Sequence, residues 1–254
     1  NLVSHTGLVP VLALAERAGL SELVREHSSV PSASRDVKAR TVIAGMLAGA
    51  DSIDDLDVLR AGSTARVIGE VRAPSTMGTF LRSFTHGHVL QLGAVDRRLL
   101  HGLADMVPGL VGGDDGSLVL VDLDDTIGEV HGYAKQAAAF GYSGVRGLNA
   151  LLATVTTEQA APVIVAQRLR KGSVGSPRGA SRLVTDALAV GVDPQRSTIF
   201  AHSAVPQLNQ LMLPFLSLVT QAELERNPTV KDELAASNRP LSGLLLTYPV
   251  HQAA

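Results

Sequence analysis

Apolar residues recur at helical spacing over residues 8–25: Leu8, Val11, Leu12, Leu14, Ala15 and Ala18, then Leu20, Leu23 and Val24. Gly19 is a stop inside that run and Ser21 a start, so the pattern predicts helices here. Arg35 to Ala50 predicts the next helix, with Val37, Val42, Ile43, Met46 and Leu47 turned inward. Asp51-Ser52-Ile53-Asp54-Asp55-Leu56 can cap a third helix running through Leu59, because Asp and Ser oxygens satisfy orphan amide N–H groups. Pro74 to Phe84 and Gln91 to Met106 complete the set, and residues 1–107 read as a helical domain.

The period then changes. Pro108 to Gly116 (PGLVGGDDG) is a Gly/Asp-rich boundary. Leu118 to Thr126 (LVLVDLDDT) is a short apolar run that predicts a buried strand, ending inside its own carboxylate cluster because Asp disfavours strands. Leu148–Thr156 and Ala161–Leu169 predict two more strands, a hairpin turning at Thr157-Glu158-Gln159. Ser181–Ala189 predicts a helix, Ser197–Ser203 a strand, and Val205–Val219 a helix carrying Leu208, Leu211, Leu213, Phe215, Leu216 and Leu218. That last helix is apolar enough to need a cover, and a partly exposed face would drive self-association. The fold class expected is therefore mixed α/β.

Composition adds limits. A chain of 254 residues with 45% hydrophobic and 18% charged residues can build a core, as one large domain or two small ones. The net charge of −2 gives no overall nucleic-acid signature, so any such surface must be a local patch. With no cysteine, disulfides and thiolate metal sites are excluded. The apolar stretch Leu8–Ala15 is broken by Glu16 and Arg17 far short of a spanning length, and no signal peptide is evident; the expectation is a cytoplasmic protein. Both ends, at Asn1 and Ala254, look cut.

Four groups are candidates for chemistry. Asp122 and Asp124 sit two apart on one face of a strand, with Asp125 leaving that face. Carboxylates there must be hydrated, paired or holding a cation, and Mg²⁺ takes one or two carboxylates plus substrate phosphates. Arg168, Arg170, Lys171, Arg178 and Arg182 surround a Gly/Ser-rich loop with no acid among them, a one-signed patch suited to phosphates. In the helical part, Arg35, Lys38, Arg40, Arg66, Arg72, Arg82, Arg97 and Arg98 read either as solvated faces or as backbone contacts to DNA. His86 and His88 flank Gly87 without a third metal ligand nearby.

Residues 122–152 run DLDDTIGEVHGYAKQAAAFGYSGVRGLNALL. The positions Asp122, Asp124, Asp125, Thr126, Val130, His131, Gly132, Lys135 and Gln136, then Gly141-Tyr142-Ser143-Gly144, resemble the entry to the catalytic domain of DDE transposases of bacterial insertion sequences. The likeness continues through RLRKGSVGSPRGASRLV, takes in DSIDDLDVLR and RAPSTMGTFLRSFTHGHVLQL, and covers about residues 1–187. It implies a DNA-binding helical domain over 1–107 and the start of an RNase H-like catalytic domain over 117–187. It also implies Asp124 as the first catalytic acid, with Asp122 beside it at the metal, Mg²⁺ as cofactor and transposon-end DNA as partner. In that family two metals bridge the scissile phosphate, held by two further acids. Here the fourth strand reads STIFAHS with His202 where the second Asp belongs, and the later acids Glu223, Glu225, Asp232 and Glu233 lack the family's Glu context. Imidazole is a poor Mg²⁺ ligand, so the resemblance implies an inactive remnant. If that strand docks beside LVLVD, His202 is expected near Asp124.

The tail resembles a different family. Val192-Asp193-Pro194, Ser197-Thr198-Ile199-Phe200, Ser203, Val205-Pro206, Glu223-Leu224, Lys231 and Thr247-Tyr248-Pro249 look like the central section of tryptophanyl-tRNA synthetase, with its Rossmann-like domain. For residues 191–254 the likeness implies a partial Rossmann-like segment with Tyr248 and Gln252 near a tryptophan pocket, and ATP, tryptophan and tRNA as the parent's ligands. The acid reading the indole N–H would follow Ala254, and the HIGH-type and KMSKS-type signatures are absent. The expectation is thus a chimera: a transposase piece to about Asp186 and a synthetase piece from about Gly191. It competes with two alternatives, a tryptophan–tRNA ligase fragment and a non-catalytic DNA-binding remnant.

Overall fold

The computed structural model describes residues 3–112, 119–132, 134–141, 143–175, 177–192, 204–237 and 240–253. Six helices come first: α1 (Leu8–Arg17), α2 (Leu20–His27), α3 (Arg35–Leu47), α4 (Thr64–Ile68), α5 (Pro74–Arg82) and α6 (His86–Met106). A 3₁₀ turn over Asp54–Arg60 precedes α4. Gly19 at φ 93° separates α1 from α2 in the left-handed region that only glycine enters cheaply, as the sequence pattern required.

Of the expected inward set of α3, Val42 and Ile43 pack against neighbouring cores, and Met46 and Leu47 are corrected. Met46 and Leu47 are 69% and 53% exposed, and the buried residues are Thr41, Ala44 and Gly45. Leu56 lies so close over Gly45 that a Cβ there would run into its side chain. Small residues win this face because the 3₁₀ turn packs almost onto the helix backbone. α6 also starts earlier than the apolar pattern predicts, because His88 Nδ1 accepts the Thr85 N–H at 3.1 Å and caps its first turn.

The sheet is β1 (Leu120–Glu129), β2 (Ala139–Phe140), β3 (Arg146–Thr156) and β4 (Val163–Lys171), followed by α7 (Ala180–Leu188). β3 is central and pairs antiparallel with β1 on one side and with β4 and the short β2 on the other. The β3–β4 hairpin is as predicted. β1 departs from expectation: it does not stop in the acidic cluster but pairs through it, Asp122 opposite Thr154, Asp124 opposite Leu152 and Asp125 opposite Leu151. Its burial alternates from residue to residue instead of being continuous. Ladder hydrogen bonds to β3 outweigh the weak strand preference of Asp, and the open face keeps alternate carboxylates in water.

One face of the sheet is covered. Leu151, Ala153 and Val155 of β3, with Val165 and Ala166 of β4, pack against Leu183 and Ala187 of α7 and Leu100 of α6. Val111, Val190 and Val192 close the same core. α6 is therefore shared. Its Val95 packs with Leu20 and Val24 of α2, while Leu100 serves the sheet. At one end of the sheet a Cβ on Gly172 would run into the carbonyl oxygens of Gly147 and Ala139, so the backbones meet there without room for a side chain.

Beyond residue 204 come α8 (Gln207–Leu216), α9 (Gln221–Arg226), α10 (Pro228–Ser237) and α11 (Gly243–Ala253). These helices pack chiefly on one another. The strand expected at Ser197–Ser203, and His202 with it, lies outside the described residues. The fold is thus mixed α/β, helices around a small antiparallel sheet. No helix among the described residues is long and apolar enough to cross a membrane.

Candidate functional site

Strand parity sorts the three acids of β1. Val121 and Leu123 point to the covered face, so Asp125 does too, while Asp122 and Asp124 stand on the open, exposed face. Asp124 Oδ1 accepts the Asp125 N–H at 2.8 Å. No group of three or more His, Asp or Glu side chains gathers around Asp122 and Asp124, or anywhere else among the described residues. Two exposed carboxylates on one strand face fit a single, largely hydrated Mg²⁺ held mainly by waters or phosphates; a two-metal centre needs a further acid.

Asp125 makes the polar network that sequence reasoning missed. Its Oδ2 accepts from Arg170 Nη2 at 2.7 Å and from Asn149 Nδ2 at 2.8 Å. Arg170 Nε also donates to Asn149 Oδ1 at 2.7 Å, and Arg170 Nη1 donates to the Arg178 carbonyl at 2.6 Å. The network ties β1, β3 and β4 together and pins the loop after β4. Two cues were present in the sequence. Asp125 continues the parity of Val121 and Leu123, and Asn149 is a lone amide in an apolar strand, which must find a partner once buried.

The basic cluster divides in the same way. Arg168 and Arg170 lie opposite Leu151 and Asn149, on the covered face of β4. A guanidinium there needs a carboxylate, and each has one: Arg170 has Asp125, and Arg168 has Asp186 of α7. Asp186 also holds Arg97 of α6 at 3.4 Å. The expectation of five cations around a Gly/Ser-rich loop with no acid among them is thus corrected for Arg168 and Arg170, since their acids come from other elements. Lys171, Arg178 and Arg182 are exposed, with no carboxylate partner among the described residues.

A groove of about 670 Å³ runs between α6 and the edge of β4, continuing to the start of α7; His86, Arg97, Arg168, Arg178, Arg182 and Asp186 are in its walls. Arg97 and Asp186 belong to this site although their separation in sequence gave no signal. On α6, Asp96 meets Gln167 of β4 at 3.5 Å, and burial there raises its carboxyl above the usual range. Among the other basic residues of the helical part, Arg35 donates to the Arg25 carbonyl, Arg40 to the Ile68 carbonyl, and Arg72 pairs with Glu70 at 2.9 Å. Those three have structural partners. His88 is a cap and His86 an exposed groove residue. Tyr248 and Gln252 both lie on α11, and their side chains are outside the described residues.

No family model matches the chain. No solved structure matches it either. A 71-residue segment is 51% identical to the tryptophan–tRNA ligase of Clostridium longisporum and 49% identical to that of Lactococcus lactis subsp. lactis. The same length is 48% identical to the tryptophan–tRNA ligase of Streptococcus agalactiae. The segment is 27% of this chain and 21% of each ligase, so the chain spans about a fifth of the length of the curated relatives it matches. This supports the synthetase likeness, whose markers lie within residues 191–254. The transposase likeness rests on the motifs of residues 1–187 alone.

Proposed function

We propose that the chain carries a segment of tryptophan–tRNA ligase type on a body of different descent, and that the joined chain does not itself activate tryptophan. The observation that carries this is identity near one half over 71 residues that make up only 21% of the ligases. Tyr248 and Gln252 are the residues that would lie near tryptophan, and tRNA is the partner that the likeness brings with it. Class I activation also needs the nucleotide signatures, which this sequence lacks. The test is tryptophan-dependent exchange of pyrophosphate into ATP. No exchange above the blank is expected, and exchange that saturates with tryptophan would overturn the reading.

A second reading is favoured by the sheet. Three long antiparallel strands in the order β1–β3–β4, followed by α7, with Asp122 and Asp124 on the open face of β1, support the opening of an RNase H-like DDE transposase domain. In this reading the body binds DNA through the exposed cations Lys171, Arg178 and Arg182, while Arg168 and Arg170, paired with Asp186 and Asp125, hold the site together from the covered face. Mg²⁺ would sit at Asp122 and Asp124, supplying charge neutralisation for a phosphate when bound, and strand transfer would belong to the parent. Its test is binding of a short duplex DNA across a salt series, where each phosphate neutralised contributes about 0.9 to the log–log slope. A slope near zero would sink it. Both readings are cytoplasmic. In both, the exposed leucines of α8 promote self-association, which sedimentation at rising concentration would show.

A further inference from the structure

We infer that the groove between α6 and the β4–α7 connection takes a phosphodiester backbone, and that Asp186 sets its strength by withholding two of its arginines. The inference rests on the nucleic-acid reading above and adds a regulating residue to it. The exposed Arg178 and Arg182 line the groove with His86 of α6, and a neighbouring hollow that shares His86 and Arg178 adds Lys171. Deeper in, Asp186 divides its carboxylate: Oδ1 faces Arg97 at 3.4 Å and Oδ2 takes the hydrogen bond from Arg168. One anion between two guanidiniums from separate elements is the arrangement a phosphate would adopt there.

The carboxylate satisfies that arrangement incompletely. Arg168 Nε is buried without an acceptor among the described residues, although its Nη2 is bonded to Asp186. A buried N–H left unpaired forgoes a hydrogen bond that it made with water in the unfolded chain. A phosphodiester brings two charged oxygens on a tetrahedral centre that is not tethered to α7, so it can turn one to Arg97 and one to Arg168 with the geometry Asp186 does not reach. Asp186 is thus an internal competitor: it neutralises Arg97 and Arg168, leaves the outer cations to make first contact, and keeps the inner pair out of reach while it stays in place.

The experiment is anisotropy of the full chain with two labelled probes, a short duplex DNA and an unmodified tRNA transcript, each across a salt series. Whichever binds more tightly identifies the source of the backbone. Arg178→Gln with Arg182→Gln should lower the log–log slope by about 1.8, two phosphates' worth. Asp186→Asn should raise the slope by up to about 1.8 and tighten binding about tenfold at low salt. Arg97→Ala should leave the parent slope unchanged and lower it by about 0.9 only in the Asp186→Asn background. If thermal unfolding shows that Asp186→Asn does not fold, Arg97→Ala alone decides, because a fall of about 0.9 in the parent means that Arg97 is already engaged. Binding by the parent with no gain from Asp186→Asn overturns the inference and leaves the nucleic-acid reading standing. No binding of either probe by parent or variant overturns both.

Discussion

The body up to Val192 and the helices after residue 204 are built to different standards. In the body, Leu59, Met77, Ala153, Val155, Val165 and Leu183 are all 0% exposed, in cores that each draw on several elements. In α8 and the turn after it, Leu213 and Leu218 are 69% and 78% exposed, while Leu224, Val230 and Val250 are the buried hydrophobics of the whole region among the described residues. Apolar area removed from water stabilises by about 25 cal/mol per Å², so leucines left in solvent forgo most of that contribution. Val190 and Val192, at the end of the body, still pack into the sheet core.

Neighbouring carboxylates give the largest expected contrast. Asp125→Ala leaves the Arg170 guanidinium, only 8% exposed, without its carboxylate, and should cost roughly 3–5 kcal/mol in denaturant unfolding. Asp124→Ala, on the open face, should stay within about 0.5 kcal/mol. Equal costs would mean that the two side chains do not occupy opposite faces. Next comes one substitution made in both regions. Leu183→Ala should cost about 2–5 kcal/mol, because the side chain is fully enclosed between α7 and the sheet. Leu213→Ala should change stability by less than about 0.5 kcal/mol and reduce concentration-dependent association. A large loss at Leu213 would place it in a core and break the comparison.

Asp96 gives a smaller effect with a defined sign. Burial raises its carboxyl in the folded state, so the folded chain holds that proton more tightly than the unfolded chain. Its favourable contribution is complete below the unfolded carboxylate range and is lost as pH rises through the raised folded value. Asp96→Asn should therefore be more stable than the parent at neutral pH, and the advantage should vanish in acid. A variant less stable than the parent at neutral pH would contradict burial as the cause. The opposite sign belongs to Asp55, whose carboxyl is lowered by hydrogen bonds from the Ser52 side chain and backbone. Asp55→Asn should lose a little stability above the carboxylate range and none below it, the smallest change of the set.

Much of this was legible because the forces involved are local. Apolar spacing located α1, α2, α5, α7 and the β3–β4 hairpin to within a few residues, and Gly19 marked a true break. The site was less legible because it is made by pairing across elements. The motif pointed at Asp124, but register placed it in water and gave the buried partnership to Asp125, one residue on. The five cations looked alike in sequence until β4 turned Arg168 and Arg170 inward and left Lys171 outside. Asp186 is 18 residues from Arg168 and meets Arg97 from another helix altogether, so neither period nor spacing could announce the contact. Met46 and Leu47 misled for a related reason: helical spacing finds a face, while Leu56 on the adjacent turn decides which face has room.

The most direct measurement is native-state hydrogen exchange of the full chain, read segment by segment in the parent and in Leu183→Ala. β1, β3, β4, α6 and α7 should open together near the global unfolding free energy and lose protection by the same increment in the variant. α8–α11 should exchange much faster, at a rate the substitution does not change. Protection of α8–α11 that equals the sheet's and falls with it would contradict the account, because the two regions would then be one cooperative unit.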